Sequence, residues 1–222
     1  MVLSPPWDIP SNGQRKDNRV RARLVLLVAW IIVTGICPAA FSQTDWQQRK
    51  DKDGIKVFTK KRQEPGVISY KWIATVDVEP NRLLRFLADV DRFPEWKDGC
   101  SRSRLIWEEE GGGYLYYVVY DFPFPFRDRY MVVDVSVRSE DGGKVAILES
   151  RSADEMNGEG GRMTRITNFW ETSRLITRSE TSVEIHTEGF FDPGGNIPAW
   201  LTNMHVDNSP IRTVRNLRKT IE

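Results

Sequence analysis

The sequence predicts an α+β domain in which one curved antiparallel β-sheet of about eight strands wraps around a long C-terminal helix. Three observations carry that expectation. The middle of the chain alternates apolar and polar residues, Gly-rich turns divide it into short hairpins, and the last stretch, "GGNIPAWLTNMHVDNSPIRTVRNLRK" from Gly194 to Lys219, has apolar residues at helical spacing. Only two substantial helices accompany the strands, so the sheet has to curl around the last helix to bury its inner face.

The elements follow in order. Arg19, Arg21 and Arg23 precede the apolar run Leu24 to Ile36 and then "CPAAFSQ", which reads as an export leader over residues 1–42, with Ala40 and Ser42 at the −3 and −1 positions of a cleavage site. The apolar run is shorter than the ~20 residues a membrane span needs, so export to a periplasmic or external space is preferred over an N-terminal anchor. Residues 43–222 then form one domain, without repeat, low-complexity segment or linker. "TDWQQRKD" after Thr44 predicts a short capped helix, and "IKVFTKK" (Ile55 to Lys61) the first strand. "VISYKWIATVDV" sends Tyr70, Trp72, Ala74 and Val76 to one side. "EPNRLLRFLADVDRF" places Leu83, Leu84, Phe86, Leu87 and Val90 on one helical face behind Pro80. Further strands are expected at Ser103–Glu109, Tyr114–Asp121, Tyr130–Arg138, Lys144–Arg151, Met163–Arg174 and Thr181–Phe191, with turns at 109–113, 140–143 and 157–161. In the last helix Ile197, Trp200, Leu201, Met204, Ile211, Val214, Leu217 and Ile221 form the stripe expected to face the sheet, and Pro210 is expected to bend it near Val206 and Asp207.

Composition narrows the function. With 32 basic and 31 acidic side chains there is no electrostatic footprint for nucleic acid. Only Cys100 lies beyond the leader, so no internal disulfide forms and the cysteine reads as a small buried hydrophobe. No Gly-rich phosphate loop, HExxH or paired CxxC appears, and no metal or cofactor is expected. His186 reads as solvent-facing. His205 can turn inward but reads first as a solvated helical histidine. No clustered acid and base is found for the interior, which argues against an enzyme.

Two motifs carry a resemblance. "DFPFPFRDRYMVV" (Asp121 to Val133) and "DPGGNIPAWL" at the start of the last helix, supported by "FPEWKDGC" (Phe93 to Cys100) and "DGIKVFTKKR" (Asp53 to Arg62), resemble the START family of lipid-binding domains over nearly the whole region from Trp46 onward. The resemblance implies a helix-grip fold that holds one apolar molecule in a tunnel closed by the C-terminal helix. It points to binding and transfer, or sequestration, of a single lipid-like ligand by a monomer, with transient contact to a membrane surface. A cavity enzyme of cyclase or aromatase type and a ligand-free interaction module are the alternatives. The expected ligand-facing residues are Tyr70, Trp72, Tyr117, Met131, Val133, Asn168, Trp170, Thr172, Ile185, Trp200, Leu201 and Met204. Gly194, Gly195 and Pro210 are the expected lid hinge, and Arg212, Arg215, Arg218 and Lys219 the expected membrane-facing cations. In sterol-binding relatives an acid and an arginine sit in the tunnel. The corresponding positions here hold Tyr116 and Val135, so a sterol is not carried over. Asp128 and Arg129 are expected to hold the bend after the Phe-Pro run rather than touch a ligand.

Overall fold

A two-residue turn sets the first hairpin. In the computed structural model, which describes residues 45–61, 68–110, 112–154 and 161–221, Asp53 and Gly54 both have positive φ, 57° and 71°, the geometry that Asp-Gly supplies to a tight hairpin. They join β1 (Gln47–Lys52) to β2 (Ile55–Lys61), with Lys52 paired to Ile55. The short helix expected near Thr44 is therefore a strand from Gln47 onward. Its residues are exposed on the sheet's edge, where hairpin pairing decides the backbone and helix propensity does not.

The remaining strands are β3 (Ile68–Val76), β4 (Cys100–Glu108), β5 (Tyr114–Tyr120), β6 (Arg129–Glu140), β7 (Val145–Ser152), β8 (Thr164–Arg165), β9 (Asn168–Ser179) and β10 (Ser182–Asp192). They form one sheet in the order β1-β2-β3-β10-β9-β7-β6-β5-β4, and the short β8 pairs in parallel with β6. Every other pairing is antiparallel, as the succession of hairpin turns requires. Helix α1 (Pro80–Ala88) begins where Glu79 accepts from the backbone N–H groups of Asn81 and Arg82, with Pro80 in the first turn. A single turn, α2 (Phe93–Trp96), follows, and α3 (Ala199–Thr220) closes the chain. This is the curved sheet gripping a C-terminal helix that the sequence predicts.

The main core lies between the concave face and the helices. Leu83, Phe86, Phe93 and Trp96 pack against Tyr114, Tyr116, Val118, Val133 and Ile185, and Leu217 and Ile221 of α3 complete the cluster. Ile211 and Val214 pack on Ile55, Val57 and Ala74. A third cluster, Tyr117, Val119 and Val132, lies on the opposite face of the sheet with Ala153 and Met163 against it.

Two strand directions differ from the sequence reading. In β5, "YLYYVVY" is apolar on both faces, so alternation does not say which side is in. Tyr114, Tyr116 and Val118 face the core, and Tyr117 and Val119 face out. The single strand expected over 163–174 is broken between β8 and β9. Ile166 bonds to Tyr130 and the phase then shifts, so Phe169 and Glu171 point inward and Asn168, Trp170 and Thr172 do not.

The helix stripe also divides. Leu201, Val206, Ile211, Val214 and Leu217 are buried as expected. Trp200 is 63% exposed and Met204 50% exposed. Ile211, seven residues beyond Met204 on the same helical face, is covered by β2 and β3; the first turns of α3 present that face to solvent. Replacing Trp200 with alanine should therefore leave the stability within about 0.5 kcal/mol, whereas Leu201→Ala should cost roughly 2–5 kcal/mol. Equilibrium denaturation of the two variants checks the difference, and similar losses from both would place Trp200 in the core.

Candidate functional site

The concave face is not filled. Between the sheet, α1, the 93–98 segment and α3 lies a cavity of about 190 Å³. Its wall is mainly apolar and aromatic: Trp72, Leu87, Phe93, Trp96, Met131, Val135, Leu148, Ile166, Phe169, Leu175, Ile185, Phe191 and Leu217. Of the residues expected to face a ligand, Tyr70, Trp72, Met131 and Ile185 line it. Val133 and Leu201 are core residues outside the wall, Tyr117 belongs to the opposite face, Asn168, Trp170 and Thr172 are displaced by the strand phase described above, and Trp200 and Met204 lie on the exposed first turns of α3. Tyr116 and Val135, the positions where sterol-binding relatives carry a charged pair, do line it.

Polar groups that the sequence reading did not place inside share this wall. Glu171 and Tyr70 meet across β10, where the Tyr70 hydroxyl donates to Glu171 Oε2 at 2.6 Å. Gly189 pairs with both residues. A Cβ at Gly189 would lie 2.5 Å from the Trp170 carbonyl oxygen and 3.1 Å from the Tyr70 hydroxyl, so this bridge requires glycine between its ends. Burial, followed by the neighbouring Glu171 carboxylate, pushes the Tyr70 phenol well above its ordinary range. Burial likewise raises Tyr116 and Tyr120 and pushes Tyr114 up to about 12. These phenols therefore remain neutral hydrogen-bonding groups at physiological pH.

The 93–99 segment brings Lys97 and Asp98 to the wall. The Lys97 ammonium lies 4.3 Å from the ring centre of Phe93, 5.6 Å from Trp96 and 5.7 Å from Tyr116. Burial works against its charge, but Tyr120, Glu171, Tyr114 and Cys100 together hold it above the ordinary lysine value. Asp98 faces α3 instead. Its carboxylate takes a bidentate pair from Arg212 at 2.6 and 2.7 Å, and its backbone N–H donates to Thr213 Oγ1 at 3.1 Å. Burial alone would raise this carboxyl; Arg212 overrides it and the result is a lowered value. The expectation of an interior without acid and base is corrected: alternation patterns do not reach a loop residue such as Lys97, and the shifted phase of β9 hid Glu171.

Helix α3 contributes His205, Val206, Ser209, Pro210, Thr213 and Leu217 to the wall. His205 sits between the Phe122 and Phe191 rings, at centroid separations of 6.5 and 5.8 Å. Burial drives its imidazole below the ordinary value, with Asp98 opposing and Arg212 assisting. The helix runs unbroken through Pro210. That proline removes the hydrogen bond to the Val206 carbonyl. Gly194 and Gly195, at φ 65° and 67°, lie before its start in a conformation that favours glycine. Arg129, buried, donates to the Pro193 and Gly194 carbonyls at 3.1 and 3.2 Å and stacks over Phe122, while Asp128 accepts the Phe122 N–H at 3.0 Å. Both residues thus hold the bend and the glycine pair through backbone bonds.

The cations of α3 are mostly engaged by the fold. Arg212 pairs with Asp98, Arg215 with Asp53, and Arg218 donates to the carbonyls of Thr75 and Asp53, whereas Lys219 is exposed. Arg49 of β1 adds a two-point pair with Asp207. What reads in the sequence as a solvent-facing basic stripe is largely a set of clamps. Partners remote in sequence and acidic loop tips provide them, and helical spacing alone does not show this.

Comparison with known proteins agrees on the fold. No family model matches the chain. An uncharacterized protein of Pseudomonas aeruginosa is 25% identical over 91% of this chain and 99% of its own length. The human phosphatidylcholine transfer protein is 22% identical over 87% of this chain and 91% of its own length. Among solved structures, a STAR-related lipid transfer protein fragment from Xanthomonas axonopodis superposes with a TM-score of 0.72 at 21% identity, covering 80% of this chain and 98% of the fragment. Human StAR-related lipid transfer protein 5 gives 0.69 at 15% identity, covering 91% and 97%. The chain has the helix-grip fold of these START-related lipid transfer structures.

Two outcomes follow from this geometry. Gly189→Ala should destabilise by about 1–3 kcal/mol, because the methyl group meets backbone and cannot be accommodated by a rotamer change; a wild-type melting temperature would contradict the bridge. His205 has a folded pKa below its unfolded value of about 6.5, so its stabilising contribution is complete above that pH and declines as acidification approaches the folded pKa. Melting temperature should therefore fall between pH 7.5 and 5.5, and less so in His205→Phe. Equal slopes in both proteins would remove His205 as the cause.

Proposed function

We propose that this protein is an exported lipid carrier that holds one lipid-like molecule beneath α3 and changes no bond in it. The observation that supports this reading best is the aromatic-lined cavity beneath a helix that is entered through two left-handed glycines. At about 190 Å³ the cavity is smaller than the roughly 300–1,000 Å³ of ordinary small-molecule sites. A lipid therefore enters by moving the cover outward. Gly194 and Gly195 provide the pivot, and Pro210 interrupts the hydrogen-bond ladder so that the first turns of α3 can move ahead of the rest.

The same turns supply the membrane contact. Trp200 and Met204 are exposed on α3, and Phe124, 96% exposed, projects from the neighbouring 121–128 loop, which reaches α3 through the Phe122–His205 ring contact. Apolar side chains at the moving end of a lid suit insertion among lipid headgroups. The arginines mainly hold the far half of α3 in place, and Lys219 adds a local charge. The leader at residues 1–42 directs export in this reading, so envelope fractionation should recover the protein outside the cytoplasm; retention inside would refute export.

A cavity enzyme is the rival reading, since Lys97, Glu171 and His205 share one interior. Organic extraction and mass spectrometry of protein incubated with a single pure lipid separates the two: unchanged lipid is expected, and a modified product would favour the enzyme. For transfer, Trp200→Ala combined with Met204→Ala should slow movement of a fluorescent phospholipid between vesicles several-fold while leaving its retention in solution unchanged. Arg212→Glu, which places a carboxylate against Asp98, should hasten ligand escape. Transfer and escape both at wild-type rates would argue against this lid.

A further inference from the structure

The lipid-carrier reading leaves the chemistry of the ligand's polar end open, and the cavity wall bears on it. The Lys97 ammonium makes no hydrogen bond or ion pair with any described residue; it rests only against the faces of Phe93, Trp96 and Tyr116. The adjacent Trp96 indole Nε1 is buried and has no hydrogen-bond partner among the described residues. Nearby, the hydroxyl of Tyr116 likewise bonds to no described residue. Glu171 is the opposing charge in the cavity, but it lies beyond ion-pair distance of Lys97 and is already engaged by Tyr70.

A half-buried ammonium on the cavity wall and a buried indole N–H beside it, on one short segment, have no acceptor among the described residues, and polar groups in such places are normally paired when the interior is complete. What they lack is an acceptor. The three ring faces are also the kind of surface that attracts a quaternary ammonium. Here Lys97 occupies them with its own positive charge, so a choline head would meet both a filled cage and a like charge. We infer that the ligand carries an anionic polar end, a carboxylate or a phosphate, seated against Lys97, and that choline lipids are disfavoured. This rests on the carrier reading and names the class of its cargo.

Equilibrium binding to the purified protein of four probes with the same acyl chain tests the inference: oleate, oleoyl lysophosphatidate, methyl oleate and oleoyl lysophosphatidylcholine. At least one anionic probe should bind about tenfold or more tightly than methyl oleate, the scale of one charge-assisted hydrogen bond. Lysophosphatidylcholine should bind no better than the ester. A preference for oleate alone assigns a carboxylate end, and one for lysophosphatidate alone a phosphate end; either supports the inference. Lys97→Met should abolish the preference for the anionic probes over methyl oleate, and Glu171→Gln, by removing a like charge, should strengthen it. If the Lys97 variant fails to fold, the wild-type series and Glu171→Gln still decide. Equal binding of oleate, lysophosphatidate and methyl oleate, tightest binding of the choline probe, or a preference that survives in Lys97→Met would overturn the inference and leave the carrier reading standing. Failure of all four probes to bind would instead refute the carrier reading, and the inference with it.

Discussion

A single helix has to cover the concave face of a ten-stranded sheet, and the rest of the molecule is arranged around how incompletely it does so. The far half of α3 is fully committed: Ile211, Val214 and Leu217 are buried, and Arg212, Arg215 and Arg218 tie the same turns to loops and carbonyls on the body. The near half is held differently. Leu201 and Val206 are buried, Arg49 pairs with Asp207, and the cavity opens beneath His205 and Ser209. Local stability is set by buried apolar contact and protected hydrogen bonds. The half with the unsupported stripe, the glycine entry and the proline gap is therefore the half suited to move.

The cavity's polar groups are of two kinds. Tyr70 and Glu171 form a closed bridge that depends on the missing side chain of Gly189, whereas in the 93–99 segment the Trp96 indole N–H meets no acceptor among the described residues. Low local dielectric strengthens any complementary contact and penalises any unmet one. The same segment also grips α3 through Asp98 and Thr213. In the reading proposed, recognition of a ligand's polar end and restraint of the lid fall to adjacent residues, Lys97 and Asp98, on one loop. This adjacency gives a ligand seated on Lys97 a direct mechanical connection to the cover.

Strand positions and sheet curvature were legible because polar–apolar alternation and Gly-rich turns are local signals, and β3, β6 and β10 presented their expected faces; the pairing of β3 with β10 was not, because it joins segments distant in sequence. Legibility failed where a local signal was ambiguous. "YLYYVVY" is apolar on both faces because the segment around Ala153 and Met163 covers its outer side. The break at Ile166 and Thr167 changes the phase of β9, and no hydrophobic pattern marks it. Trp200 and Met204 kept helical spacing, yet a stripe states only which residues share a face, not how far the neighbouring sheet extends. The ion pairs of Arg212 and Arg215 join residues more than a hundred positions apart. Such pairings exist only after the fold does, which is why the basic stripe read as free. The resemblance of the Phe-Pro run and the Gly-Gly helix start conveyed the fold but not the occupants of the cavity.

The central claim is that α3 is a lid over a lipid site, and hydrogen exchange of lipid-free and oleate-loaded protein tests it most directly. Loading should slow exchange in the first half of α3, over Ala199 to Ser209, and in the Lys97–Gly99 loop, while the amides of β3, β9 and β10 remain unchanged. Protection confined to the strands or the outer face, with α3 exchanging at the same rate in both states, would contradict it.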